Sequence, residues 1–119
     1  MDRSNPKISV TYAGQAAIVT FALEKILEEA DIRGLEASIM PLIDQDEHTN
    51  LVLDFSRVKF LTSSVLGLLI RISKKVYEAD GKLRLCGIGR NILEIFKITR
   101  LDRVFEIRED VAESLQGMV

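Results

Sequence analysis

The chain has no tryptophan, one histidine, one cysteine and two prolines in 119 residues. A lone thiol, Cys86, cannot close an internal disulfide, which suits a reducing compartment. The lone histidine, His48, sits in a polar stretch with Asp44, Asp46 and Glu47. Polar loops commonly have this composition, so no metal site is expected. No apolar run approaches the roughly 20 residues needed to span a bilayer, the most continuous being Val65 to Ile70. The first residues, Met1 to Pro6, lack the apolar centre of a signal peptide. A cytoplasmic protein without membrane insertion is therefore expected.

A strong charge of one sign is also missing. The net charge is −2, so there is no general attraction to nucleic acid or to an anionic membrane. Residues 1–59 carry net −4 and residues 60–119 net +2. Any basic face must come from the second half. The length fits one domain over residues 1–119, long enough for a real core, and no repeat, linker or low-complexity segment divides it.

What is present alternates between two periodicities. Lys7 to Tyr12 alternates apolar and polar and is rich in β-branched residues, a half-exposed strand. Ala13-Gly14-Gln15 makes a turn into a second strand, Ala16 to Ala22, and two strands this close predict a hairpin. Glu28 to about Asp44 reads as a helix with an apolar stripe of Ala30, Leu35, Ile39, Leu42 and Ile43. Gly34 and Pro41 should make it irregular or kinked. After a polar loop, Gln45 to Thr49, Asn50-Leu-Val-Leu-Asp54 is nearly all apolar, as in a strand covered on both faces.

A second helix starts at Thr62 or Ser63, where a side-chain oxygen is expected to cap a free amide of the first turn. Phe60 and Leu61 should pack just before it and anchor the loop. Leu66, Leu69, Ile70, Val76 and Tyr77 are expected on its buried side. Arg71, Lys74 and Lys75 form a cationic patch, the lysines in the last turns where the helix dipole favours them. Asp80-Gly81 ends it. Lys82 to Cys86 follows as a strand, Arg90 to Ile98 as a helix and Val104 to Ile107 as a last strand. Asp110 to Leu115 forms a short terminal helix.

This order predicts an α/β fold: a mixed, mainly parallel sheet of about five strands, with an antiparallel N-terminal hairpin strand and three to four helices. Val52, Leu53, Leu69, Ile70, Leu85 and Phe96 should form the core.

Chemistry-bearing patterns are few. Gly87-Ile-Gly89 lies between a strand and a helix, but no third glycine completes a dinucleotide fingerprint, so a tight β–α turn is expected and no cofactor. No Gly-x-Ser-x-Gly elbow surrounds Ser63, and the lone histidine lies far off in a loop, which argues against a hydrolase triad. The informative segment runs from Leu51 to Ile70. A buried strand ends in Asp54, a short loop follows, and Thr62-Ser63-Ser64 opens an amphipathic helix. Strand C-termini and helix N-termini are where open α/β sheets place functional groups. The three hydroxyl residues read equally well as simple caps.

This segment, with Phe60-Leu61, Ser63-Ser64, Leu66-Gly67 and Leu68-Leu69, resembles the STAS domain of bacterial anti-sigma-factor antagonists. Gly81 to Gly87 and Ile95 to Glu106 are similar to the family's last strand–helix–strand unit, so the resemblance spans roughly residues 50–107. It implies a phosphorylation-switched protein-binding module that regulates sigma-factor-dependent transcription and is not an enzyme. Its partner is an anti-sigma factor that is also a GHKL-type serine kinase, and a phosphatase resets the switch. The matching phosphoacceptor is Ser63. Asp54, Thr62, Ser64, Leu66 and Gly89 would lie near the partner surface. The family's Asp before the serine is here Thr62, and its Gly after the serine pair is Val65, which leaves Thr62 and Ser64 as alternative acceptors. The same fold also serves as an accessory subunit of lipid-transport ATPases, in signalling assemblies and as a ligand sensor.

Overall fold

The structure, a computed structural model, describes residues 7–43 and 50–118. Strands β1 (Ile8–Ala13) and β2 (Ala16–Phe21) form the expected antiparallel hairpin. Its two-residue loop turns on Gly14, whose φ of +58° is a conformation only glycine takes without cost. Next come β3 (Lys25–Ile26), α1 (Glu29–Ile43), β4 (Asn50–Asp54), β5 (Phe60–Leu61) and α2 (Ser63–Glu78). Strand β6 (Leu83–Cys86), α3 (Arg90–Ile98), a 3₁₀ turn (Leu101–Arg103), β7 (Glu106–Arg108) and α4 (Val111–Ser114) complete the chain. The main sheet has the order β1-β2-β4-β6-β7, and every pairing after the first is parallel.

Alternation along the central strands divides the interior in two. Ala17, Val19, Phe21, Leu51, Leu53, Leu83 and Leu85 face one side, where they meet Leu35, Ile39, Leu69, Ile72 and Phe96 from the three long helices. Phe21 and Phe55 stack there with centroids 4.7 Å apart. Ala16, Ile18, Val52 and Cys86 face the other side and pack against Met118 of the C-terminal segment. Strand β4 is thus covered on both faces, as its composition predicts. Cys86 is fully buried, and burial pushes its thiol up to about 11. It is a small core side chain.

The C-terminal segment is held by a cation that sequence reading passes over. Arg84 donates through Nη1 to the carbonyls of Ser114 (2.7 Å) and Gln116, and through Nε to Glu106 (3.2 Å). Asn50 adds a bond to the Met118 carbonyl at 3.2 Å. Asp110 caps α4 by accepting from the Glu113 amide at 2.9 Å.

Some expectations fail. In α1, which includes Gly34 and Pro41, the buried stripe is Ile32, Leu35, Ile39 and Ile43, whereas Leu42 is half-buried and Ala30 exposed. The last strand begins at Glu106 because Arg100 turns left-handed, at φ +63°, and opens a 3₁₀ turn. In α2 the buried residues are Val65, Leu66, Leu68, Leu69, Ile72, Ser73 and Val76, whereas Ile70 is 46% and Tyr77 47% exposed. Ile70 and Tyr77 are two turns apart and share the outer face. The cationic patch is partly neutralised, since Arg71 makes a bidentate pair with Glu36 of α1, at 3.0 and 3.2 Å. That bond raises the Arg71 pKa above its ordinary value. The polar stretch around His48 falls outside the described residues.

The helix phase has a direct test. Leu69→Ala should cost about 2–5 kcal/mol in urea unfolding, as large-to-small core changes do. Ile70→Ala, one residue on, should stay within about 0.5 kcal/mol of wild type.

Candidate functional site

The candidate site lies at the C-terminal edge of the sheet, where the connections leaving β4 and β6 emerge side by side. Asp54 and Cys86 are register partners on those strands. Beyond them the chain bends sharply. The Phe55 amide donates to the Cys86 carbonyl at 2.9 Å, Asp54 Oδ1 accepts from the Ser56 amide at 2.9 Å, and the Val58 amide returns to the Phe55 carbonyl at 2.9 Å. Gly87 presses directly against this bend. A Cβ placed there would come within 2.7 Å of Asp54 Oδ1 and 2.9 Å of the Ser56 nitrogen, and φ is +68°. Side-chain volume and backbone conformation both require glycine at this position.

The loop then runs along β3. The Lys59 and Phe60 amides donate to the Glu24 carbonyl at 2.8 and 3.2 Å. Lys25–Ile26 and Phe60–Leu61 pair in parallel, and the Thr62 amide donates to the Ile26 carbonyl at 3.3 Å. Backbone pairing therefore fixes where α2 begins. Phe60 does not anchor the loop by packing: it is 51% exposed, with Lys25 Nζ 5.7 Å from its ring centroid. Leu61 is half-buried and packs against the main core.

Thr62 is the N-cap residue of α2, with extended φ and ψ of −97° and 168°. Its side chain makes no cap bond, contrary to expectation. Oγ1 is buried and finds no hydrogen-bond partner among the described residues. The cap is made by the main chain, through the Val65 amide to the Thr62 carbonyl at 3.0 Å. Ser63 and Ser64, in the first turn, are both exposed. No acidic residue occupies that turn, so its positive dipole end meets no local carboxylate.

The other candidates divide. Asp54 is half-buried at the bend. Leu66 is 7% exposed and belongs to the main core, so it offers a partner little surface. Gly89, the N-cap of α3, is exposed with open space around it. Between the two connections lies an open groove of about 380 Å³, bounded by Ser56, Val58, Lys59 and Phe60 from one and by Gly87 and Gly89 to Ile92 from the other. Sequence reading places Gly89 near this surface but misses Lys59 and Arg90, whose meeting depends on the fold. No group of acidic, histidine or cysteine side chains suited to a metal occurs among the described residues, and no helix there is long and apolar enough to cross a membrane.

A model of the STAS domain matches residues 9–114, and the chain belongs to the STAS domain family. It is 26% identical over 85 residues to a Bordetella bronchiseptica protein named as the anti-sigma factor antagonist BtrV, across 71% of this chain and 72% of that one. An STAS domain protein from Planctomyces limnophilus superposes with a TM-score of 0.84 at 23% identity, over 93% of this chain and 97% of that one. The Bacillus cell fate determinant SpoIIAA, in its phosphorylated form, superposes at 0.72 with 15% identity, over 93% of this chain and 97% of its own.

The bend supplies its own test. Gly87→Ala should destabilise the protein by more than about 1 kcal/mol, because the native φ is incompatible with a side chain. Urea unfolding measures this. A loss within about 0.5 kcal/mol, the range of ordinary surface changes, would mean that the bend yields easily.

Proposed function

We propose that this chain is an anti-sigma-factor antagonist whose binding to an anti-sigma factor is switched by phosphorylation of Ser63. The observation that carries the proposal is an exposed serine at the first position of a helix whose start is pinned by main-chain bonds. The relatives named as antagonists, and the SpoIIAA structure in a phosphorylated form, support it. The partner is an anti-sigma factor with GHKL-type serine kinase activity, and a phosphatase restores the binding-competent form in the cytoplasm. The chain is the kinase's substrate and performs no chemistry itself.

The local geometry separates Thr62 from the two serines. Thr62 Oγ1 is enclosed, so a kinase could reach it only by opening the helix start. Ser63 and Ser64 are both accessible, and Ser63 is the family's matching position. A phosphate carries about −1.5 to −2 charges at neutral pH. At Ser63 it would lie over the positive end of α2, favourable by roughly 0.3–1 kcal/mol. The fold should tolerate the modification, and its effect falls on the complex.

Incubation with the cognate kinase and labelled ATP tests the assignment. Wild type should take up label and Ser63→Ala should not. Undiminished labelling of Ser63→Ala would transfer the role to Ser64 or Thr62.

A further inference from the structure

The groove beside the helix start has a charge pattern that names a kind of partner. Lys59 and Arg90 line it from opposite sides, and none of the described residues lining it is acidic. Neither cation forms an ion pair with a described residue. Lys25 adds a third positive charge at the rim, over the exposed Phe60 ring. Val58 and Ile92 supply an apolar floor. The protein as a whole is acidic, with a net charge of −2, so this concentration of unpaired cations is local.

Gly89 points the same way. Its φ of −69° and ψ of 163° suit any residue, and a Cβ would meet nothing within 4 Å. Gly87 is needed by the fold on both counts; Gly89 is not, on either. Its missing side chain leaves the groove open.

We propose that this groove receives an acidic, partly apolar segment of the protein partner, with carboxylates between Lys59 and Arg90 and an apolar side chain against Phe60 and Val58. This rests on the reading of the chain as a protein-binding switch and adds the chemistry of what binds. Charge complementarity of this kind sets orientation and encounter rate as well as affinity.

The test titrates the isotope-labelled full chain with a short peptide alternating Glu and Leu and follows backbone amide signals by NMR. Saturable shifts should concentrate on residues 56–60 and 87–92 and should weaken as salt rises. Replacing Lys59 and Arg90 together by Glu should weaken binding at least about tenfold. Two variants separate charge from fold. Gly89→Asp and Gly89→Asn both place a good N-cap residue on α3 and should keep its melting temperature. Only Gly89→Asp should lose affinity, because it puts a carboxylate into the groove. The proposal is overturned by an absence of binding at millimolar peptide. Equal binding of a peptide with Gln in place of Glu, or indifference to charge reversal, also overturns it. So does inorganic phosphate that produces the same shifts and displaces the peptide, which would make the groove a small-anion site. The assay involves neither a kinase nor Ser63, so its failure leaves the phosphorylation reading standing, and the reverse also holds.

Discussion

The contact between Gly87 and Asp54 is the constraint on which the functional edge depends. Parallel pairing of β4 with β6 makes two connections leave the sheet at neighbouring points. They can turn away from each other only if one gives up side-chain volume. Gly87 does so, at a φ of +68°, with the Asp54 carboxylate and the Ser56 amide in the space a Cβ would take. The β4 connection then swings towards β3 and delivers Thr62 to the start of α2. The β6 connection turns straight into α3. The groove is the space between them.

The helix start is determined more by backbone than by side chains. The β3–β5 ladder and the Thr62 amide on the Ile26 carbonyl fix its position, while the Thr62 hydroxyl caps nothing. A buried polar atom left unpaired costs about 1–3 kcal/mol. The fold carries that cost at the residue immediately before the exposed serine. Behind the helix, Leu69, Ile72 and Val76 are fully buried, and the sheet is clamped from its other face by Arg84 and the C-terminal segment. The serine therefore stands exposed on a well-packed support.

Much of this fold was legible in the sequence. Asn50–Asp54 and Arg90–Ile98 have the bounds that their composition suggests, since one is an apolar strand between two polar ends and the other a strongly amphipathic helix. The hairpin was legible from Gly14. The phase of α2 was misjudged at Ile70 and Tyr77 because apolar residues recur on more than one face of that helix. Burial there follows from packing against α1 and the sheet, which hydropathy does not encode. Strands β3 and β5 have two residues each, too few for any periodicity. Arg84 reads as one more charge in a strand until the C-terminal carbonyls arrive beside it. Within the candidate site, resemblance points to Ser63 and Gly89, whereas Lys59 and Arg90, 31 positions apart in the chain, come to line one groove only through the fold.

With Ser63 as the proposed switch, a negative charge there acts on the complex and leaves the domain intact. Parallel thermal melts and calorimetric titrations of wild type and Ser63→Asp against the anti-sigma partner test it most directly. The account predicts nearly equal melting temperatures and binding weaker by at least about tenfold, equivalent to about 1.4 kcal/mol. An unfolded Ser63→Asp protein, or one that binds as tightly as wild type, would contradict it.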